Sequence, residues 1–150
     1  MNSASVIDPA TLEVSYRFKS KPDQVFRAWT DPAWLKQWFK VAPEYSTPIA
    51  EVDLRVGGRY RLGMQPPDGE LTVAAGIYRV VDAPRKLAFT WAWEGTPPDA
   101  PEMLVTIEFQ NEGDGTLVNL RHERLPNKES FEAHRDGWQG CFAQLQAVLD

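Results

Sequence analysis

The chain has 150 residues, 43% of them hydrophobic and 25% charged, the balance of one globular domain able to build its own core. That composition excludes a disordered tail, a collagen and a coiled coil. Lys and Arg number 16 against 21 Asp and Glu, and a net charge of −5 repels a phosphate backbone, so nucleic acid is not an expected partner.

Cys141 is the single cysteine, so it can close no internal disulfide and cannot make a zinc site alone, which points to a reducing compartment. Residues 1–10 lack both the basic and the apolar stretch of a secretory leader. No apolar run nears the roughly 18 residues of a membrane span. A cytoplasmic protein with no membrane partner is expected. Segment 1–10 is expected to be flexible, and 11–150 to form the single domain. Trp is unusually frequent at 6 residues, and its large ring with one polar N–H suits cores and pockets.

In chain order, residues 11–18 alternate, with Leu12, Val14, Tyr16 and Phe18 on one face, which predicts a half-buried strand. Pro22 fits the first position of a short helix that carries Val25, Phe26 and Trp29. Asp31 caps a second short helix opened by Pro32, with Leu35, Trp38 and Phe39 as its apolar positions. Strands are then predicted over 49–56, ending at Gly57-Gly58, and over 59–64, with Tyr60, Leu62 and Met64 on one face. The stretch 70–81 is apolar on both sides, so its inward face is not defined by pattern. Residues 86–93 group Leu87, Phe89, Trp91 and Trp93, and 103–109 group Met103, Val105, Ile107 and Phe109. Glu112 to Gly115 reads as a hairpin turn before a strand over 116–124 that groups Val118, Leu120 and His122. From Asn127, an N-cap, the period changes to 3.6, and Phe131, His134, Arg135, Trp138, Cys141, Phe142, Leu145, Val148 and Leu149 form one stripe.

A helix of about 22 residues spans roughly 33 Å, and seven strands spaced about 4.8 Å apart give a sheet roughly 29 Å across. One long helix can therefore cover one face of one antiparallel sheet, an α+β architecture.

This order resembles the helix-grip fold of the START/polyketide-cyclase/Bet-v-1-like (SRPBCC) superfamily. The segments VFRAWTDPAWLKQWF (25–39), EVDLRVGGRYR (51–61), PRKLAFTWAW (84–93), TLVNLRHERLP (116–126) and HRDGWQGCFAQLQAVL (134–149) are similar to the activator-of-Hsp90-ATPase-homologue-like (AHSA-like) family. The resemblance implies a seven-stranded curved antiparallel sheet, two short helices and a long C-terminal helix over an internal cavity that takes an apolar small molecule. The eukaryotic co-chaperones of the family carry an additional N-terminal domain, so a chaperone partner is a disfavoured third reading here.

The cavity implied by the resemblance makes Trp91, Trp93 and Phe89 on one strand face ligand-binding candidates, although aromatic strand faces are usually core. Tyr60, Met64 and Met103 share that ambiguity. Trp138 and Phe142 face them from the long helix, and Trp38 from the second short one. His122 and His134 point inward and would orient a polar group of the guest; a lone inward His is more often structural than catalytic. An enzyme of cyclase or hydrolase type using His122 or His134 is the second reading. No nucleophile, base and orienter set assembles, so no catalytic residue is assigned. No metal or cofactor is expected, because ligand-type residues are too few and scattered. A homodimer is left open. Gly57-Gly58 precedes a strand, which fails the context of a phosphate loop. Asp53 and Arg55 are expected to pair across one strand face, and Gly137 to mark a close approach of helix to sheet.

Overall fold

Leu12–Phe18 forms strand β1, with Leu12, Val14 and Phe18 buried, as its alternation predicts. The computed structural model describes residues 10–97, 99–100 and 102–150. The flexible segment expected over 1–10 lies outside the described residues except for Ala10, whose carbonyl accepts from the Leu125 amide at 2.9 Å.

Helices α1 (Pro22–Thr30) and α2 (Pro32–Trp38) each start at a proline, whose fixed φ suits the first turn and whose missing N–H is an orphan donor there anyway. Asp31 separates them and accepts from the Ala33 amide at 3.0 Å, as a capping aspartate should. The remaining strands are β2 (Ser46–Val52), β3 (Arg59–Gln65), β4 (Thr72–Asp82), β5 (Lys86–Trp93), β6 (Met103–Glu112) and β7 (Gly115–Glu123). They form one antiparallel sheet in the order β1-β7-β6-β5-β4-β3-β2, a meander with β1 returning beside β7. Helix α3 (Lys128–Leu149) closes the chain, with Asn127 accepting from the Ser130 amide at 2.8 Å.

Register aligns the inward residues in rows. Phe89, Val105, His122 and Leu12 lie side by side across four strands, and Leu87, Ile107, Leu120 and Val14 form the next row. The face of β4 left undefined by its pattern changes partway along. Tyr78 pairs with Phe89 but Val80 pairs with Ala88, a bulge that shifts the inward positions from Ala74, Gly76 and Tyr78 to Val81. Before the bulge Gly76 runs so close to β5 that a Cβ would meet the Thr90 carbonyl oxygen.

Three local expectations are corrected. Strand β2 lies at 46–52, not 49–56, because Asp53 to Gly57 turn the chain; Gly57 has φ +87°, and a Cβ on Gly58 would strike the Asp53 carbonyl. Asp53 and Arg55 do pair, at 3.0 Å, but within that turn rather than on a strand face. The tight helix contact is at Gly140, not Gly137. A Cβ on Gly140 would meet the Val41 carbonyl oxygen, whereas one on Gly137 meets Val41 Cγ1 at an ordinary 3.6 Å. The contact runs to the segment after α2, not to the sheet.

Candidate functional site

The two halves of α3 meet the sheet differently. In the C-terminal half, Phe142 and Leu145 are fully buried, and Phe142 stacks on Tyr16 with ring centroids 5.4 Å apart. Tyr16 also donates from its hydroxyl to Gln146 Oε1 at 2.7 Å, so this end is a closed core. The preceding turns present His134, Gly137, Trp138 and Cys141, a helical i, i+3, i+4, i+7 face with little bulk at Gly137 and Cys141. There a pocket of about 250 Å³ remains, walled also by Phe39 and Val41 after α2, Met64 of β3, and Trp91 and Trp93 of β5. Beside it lies a void of about 10 Å³ that shares the walls Phe39, Trp91 and Trp138 and is bounded further by Trp29, Tyr60, Tyr78 and Phe89.

Two polar contacts cross from helix to sheet. Trp93 Nε1–H donates to His134 Nε2 at 3.0 Å, and Trp138 Nε1–H donates to His122 Nδ1 at 3.0 Å. An indole nitrogen only donates, so each contacted imidazole nitrogen must carry a lone pair. His134 Nδ1 therefore bears the proton and gives it to the Ser130 carbonyl at 2.8 Å. His122 Nε2 bears its proton toward Met103 Sδ at 3.3 Å. The two imidazoles lie 4.7 Å apart, centroid to centroid. Burial, with His134 beside it, pushes His122 down to about 3, and burial lowers His134 despite its carbonyl partner. Both are thus neutral, each in one tautomer. Burial likewise raises the Cys141 thiol to about 12, which keeps it protonated and poorly nucleophilic.

Of the residues singled out in the sequence, Met64, Trp91, Trp93, His134 and Trp138 wall the pocket. Tyr60 and Phe89 stand at the smaller void. His122 and Met103 lie behind Trp138, bonded to each other. Trp38 and Phe142 are core: Trp38 is fully buried, its Nε1–H donates to the Ala28 carbonyl at 2.8 Å, and its ring packs on Trp29 at 4.7 Å. Phe39, Val41, Ala133, Gly137 and Cys141 were not singled out as pocket residues. The helical spacing from His134 contained a signal for Gly137 and Cys141, but Val41 lies in an irregular segment with no periodicity to read. Arg135 pairs with Asp136 at 3.2 Å, away from the pocket wall. No group of three or more His, Cys, Asp or Glu forms a metal-binding cluster among the described residues.

A long C-terminal helix gripped by a curled seven-stranded antiparallel sheet, with a pocket between them, defines a helix-grip protein. The family profile "Activator of Hsp90 ATPase homolog 1-like protein" matches residues 19–150, and the chain belongs to that family. Solved structures agree in fold. A protein from Chromobacterium violaceum superposes with a TM-score of 0.84 at 24% identity, over 94% of this chain and 97% of that one. The AHSA1 protein from Silicibacter pomeroyi gives 0.81 at 25% identity, over 93% and 97%. A protein from Nitrosomonas europaea gives 0.79 at 26% identity, over 94% of each. No curated protein matches the sequence. No helix among the described residues is long and apolar enough to cross a membrane.

Proposed function

We propose that the chain binds a small, largely apolar molecule in the pocket between α3 and the sheet. The observation that carries this reading is the pocket wall: about 250 Å³ bounded by Phe39, Val41, Met64, Trp91, Trp93 and Trp138, with no charged side chain among its described residues. Small-molecule sites are usually apolar and aromatic with a few placed polar groups. A cavity of about 150 Å³ holds benzene, so about 250 Å³ suits a guest of roughly ten heavy atoms. The superfamily resemblance, in which this cavity takes apolar ligands, supports the same reading, and the free buried thiol of Cys141 is in keeping with a cytoplasmic setting.

An acid–base enzyme built on His122 or His134 is disfavoured by the hydrogen bonds. A general base needs a free lone pair within reach of substrate. Both lone pairs are already taken by indole N–H donors at 3.0 Å.

The test is binding of bicyclic hydrocarbons such as naphthalene or indane, followed by Trp fluorescence and thermal unfolding. Saturable binding should quench or shift the Trp emission and raise the melting temperature by mass action. If neither hydrocarbon moves either signal near its solubility limit, the reading is wrong.

A further inference from the structure

Nearly every polar atom around the pocket has a partner. Trp93 and Trp138 give their N–H groups to the histidines, and His134 uses both nitrogens. Two exceptions stand together. The indole N–H groups of Trp29 and Trp91 are buried with no hydrogen-bond partner among the described residues, and both rings bound the same 10 Å³ void. Their side chains belong to residues only 4% and 2% exposed. Both rings also flank Trp138, at centroid distances of 5.9 and 5.1 Å. A buried unpaired donor is costly, and both residues that carry one line the same void. A volume of about 10 Å³ is room for one oxygen-sized group. Phe39, Trp91 and Trp138 wall the main pocket as well, so the void adjoins the space a guest would occupy.

We propose that the guest is a neutral aromatic carbonyl compound whose oxygen is held by the Trp91 N–H, with Trp29 as the second donor. The inference rests on the pocket being a ligand site and adds the class of ligand. A carbonyl oxygen has two lone pairs and no proton, which matches the two unpaired indole donors. An alcohol would bring a further O–H donor to a space whose two unpaired groups are already donors. A carboxylate would bring a charge into a wall without a described cation, which burial penalises heavily. A site built to hydrogen-bond one group also rejects the analogue lacking it, because its own donors are then left unpaired.

The experiment compares 1-indanone, indane, 1-indanol and indane-1-carboxylate by calorimetry with the full chain. Indanone should bind about tenfold more tightly than indane, the size expected when a buried donor gains its acceptor. Indanol and the carboxylate should bind less well than indanone. In Trp91→Phe, which keeps a ring and deletes the N–H, the indanone-to-indane ratio should fall close to one. Trp29→Phe should lower it part of the way. Should either variant fold poorly, the indole ¹H–¹⁵N resonances of the unaltered protein decide. Indanone should move the Trp91 and Trp29 N–H signals downfield, and indane should not. Equal binding of indanone and indane overturns the carbonyl inference but leaves the apolar pocket standing, as when a water permanently occupies the void. Preference for indanone that survives Trp91→Phe also overturns it. Binding of none of the four overturns the pocket reading and this inference with it.

Discussion

Acidification should weaken the fold through His122, and the loss can be worked from its contacts. The ring is fully buried, and its two nitrogens face the Trp138 indole N–H at 3.0 Å and Met103 Sδ at 3.3 Å. A proton added at Nδ1 would point at another proton, and the charge would sit 4.7 Å from the His134 ring. The folded chain therefore resists protonation down to about 3, while the unfolded chain takes the proton near the ordinary 6.5. Between those values the unfolded state binds more protons, so stability falls as pH falls. At about 1.4 kcal/mol per pH unit below 6.5, His122 alone removes about 2 kcal/mol between pH 7.5 and pH 5. His134 is lowered too and adds loss of the same sign. Urea unfolding at pH 7.5, 6.0 and 5.0 measures this. His122→Asn keeps an acceptor oxygen near the Nδ1 position and removes the titration, so its pH slope should be clearly smaller. Stability of the unaltered protein that is flat over this range, or parallel slopes for both proteins, would refute the neutral-histidine argument.

Asp31→Ala should cost about 1 kcal/mol in a urea melt, because it removes the acceptor for the Ala33 amide at the start of α2. Gly140→Ala should cost about 1–3 kcal/mol, since its Cβ has to displace the Val41 backbone rather than a side-chain tip. Gly137→Ala, three residues earlier in the helix, should do the opposite: its Cβ meets only Val41 Cγ1 at 3.6 Å, so the helix gains about 0.5–1 kcal/mol in thermal or urea unfolding. Because Gly137 walls the pocket, the same methyl group should weaken indane binding severalfold in calorimetry.

Strand β1, both short helices and α3 were legible in the sequence because period, caps and proline position agreed there. Strand β4 was not, since its bulge switches the inward positions and both parities look apolar. The end of β2 was misplaced because Leu54 and Val56 continue an apolar alternation through a turn, where they stand exposed. The site was half legible. Trp91 and Trp138 wall a pocket while Trp38 and Phe142 fill a core, yet all four are inward aromatics and no local pattern separates the two roles. The separation depends on what faces each ring. Phe142 meets Tyr16, Phe18 and Trp29, whereas Trp138 has Gly137 beside it on the helix and the small Cys141 one turn on.

The histidines then have a mechanical part. Trp93 on the sheet bonds to His134 on the helix, and Trp138 on the helix bonds to His122 on the sheet. The two bonds run in opposite senses across the gap, each joining a donor-only ring to a ring with a matching lone pair. An apolar pocket without such bonds would lower its energy by letting the helix close onto the sheet, as Phe142 and Leu145 do at the other end. Two directional contacts of about 3.0 Å fix the spacing instead, because closure or sliding would break them in a buried setting where an orphaned donor is costly. The arrangement uses up the polar capacity of both imidazoles and of two indoles. It leaves Trp91, between them, as the wall residue with a hydrogen bond still to give.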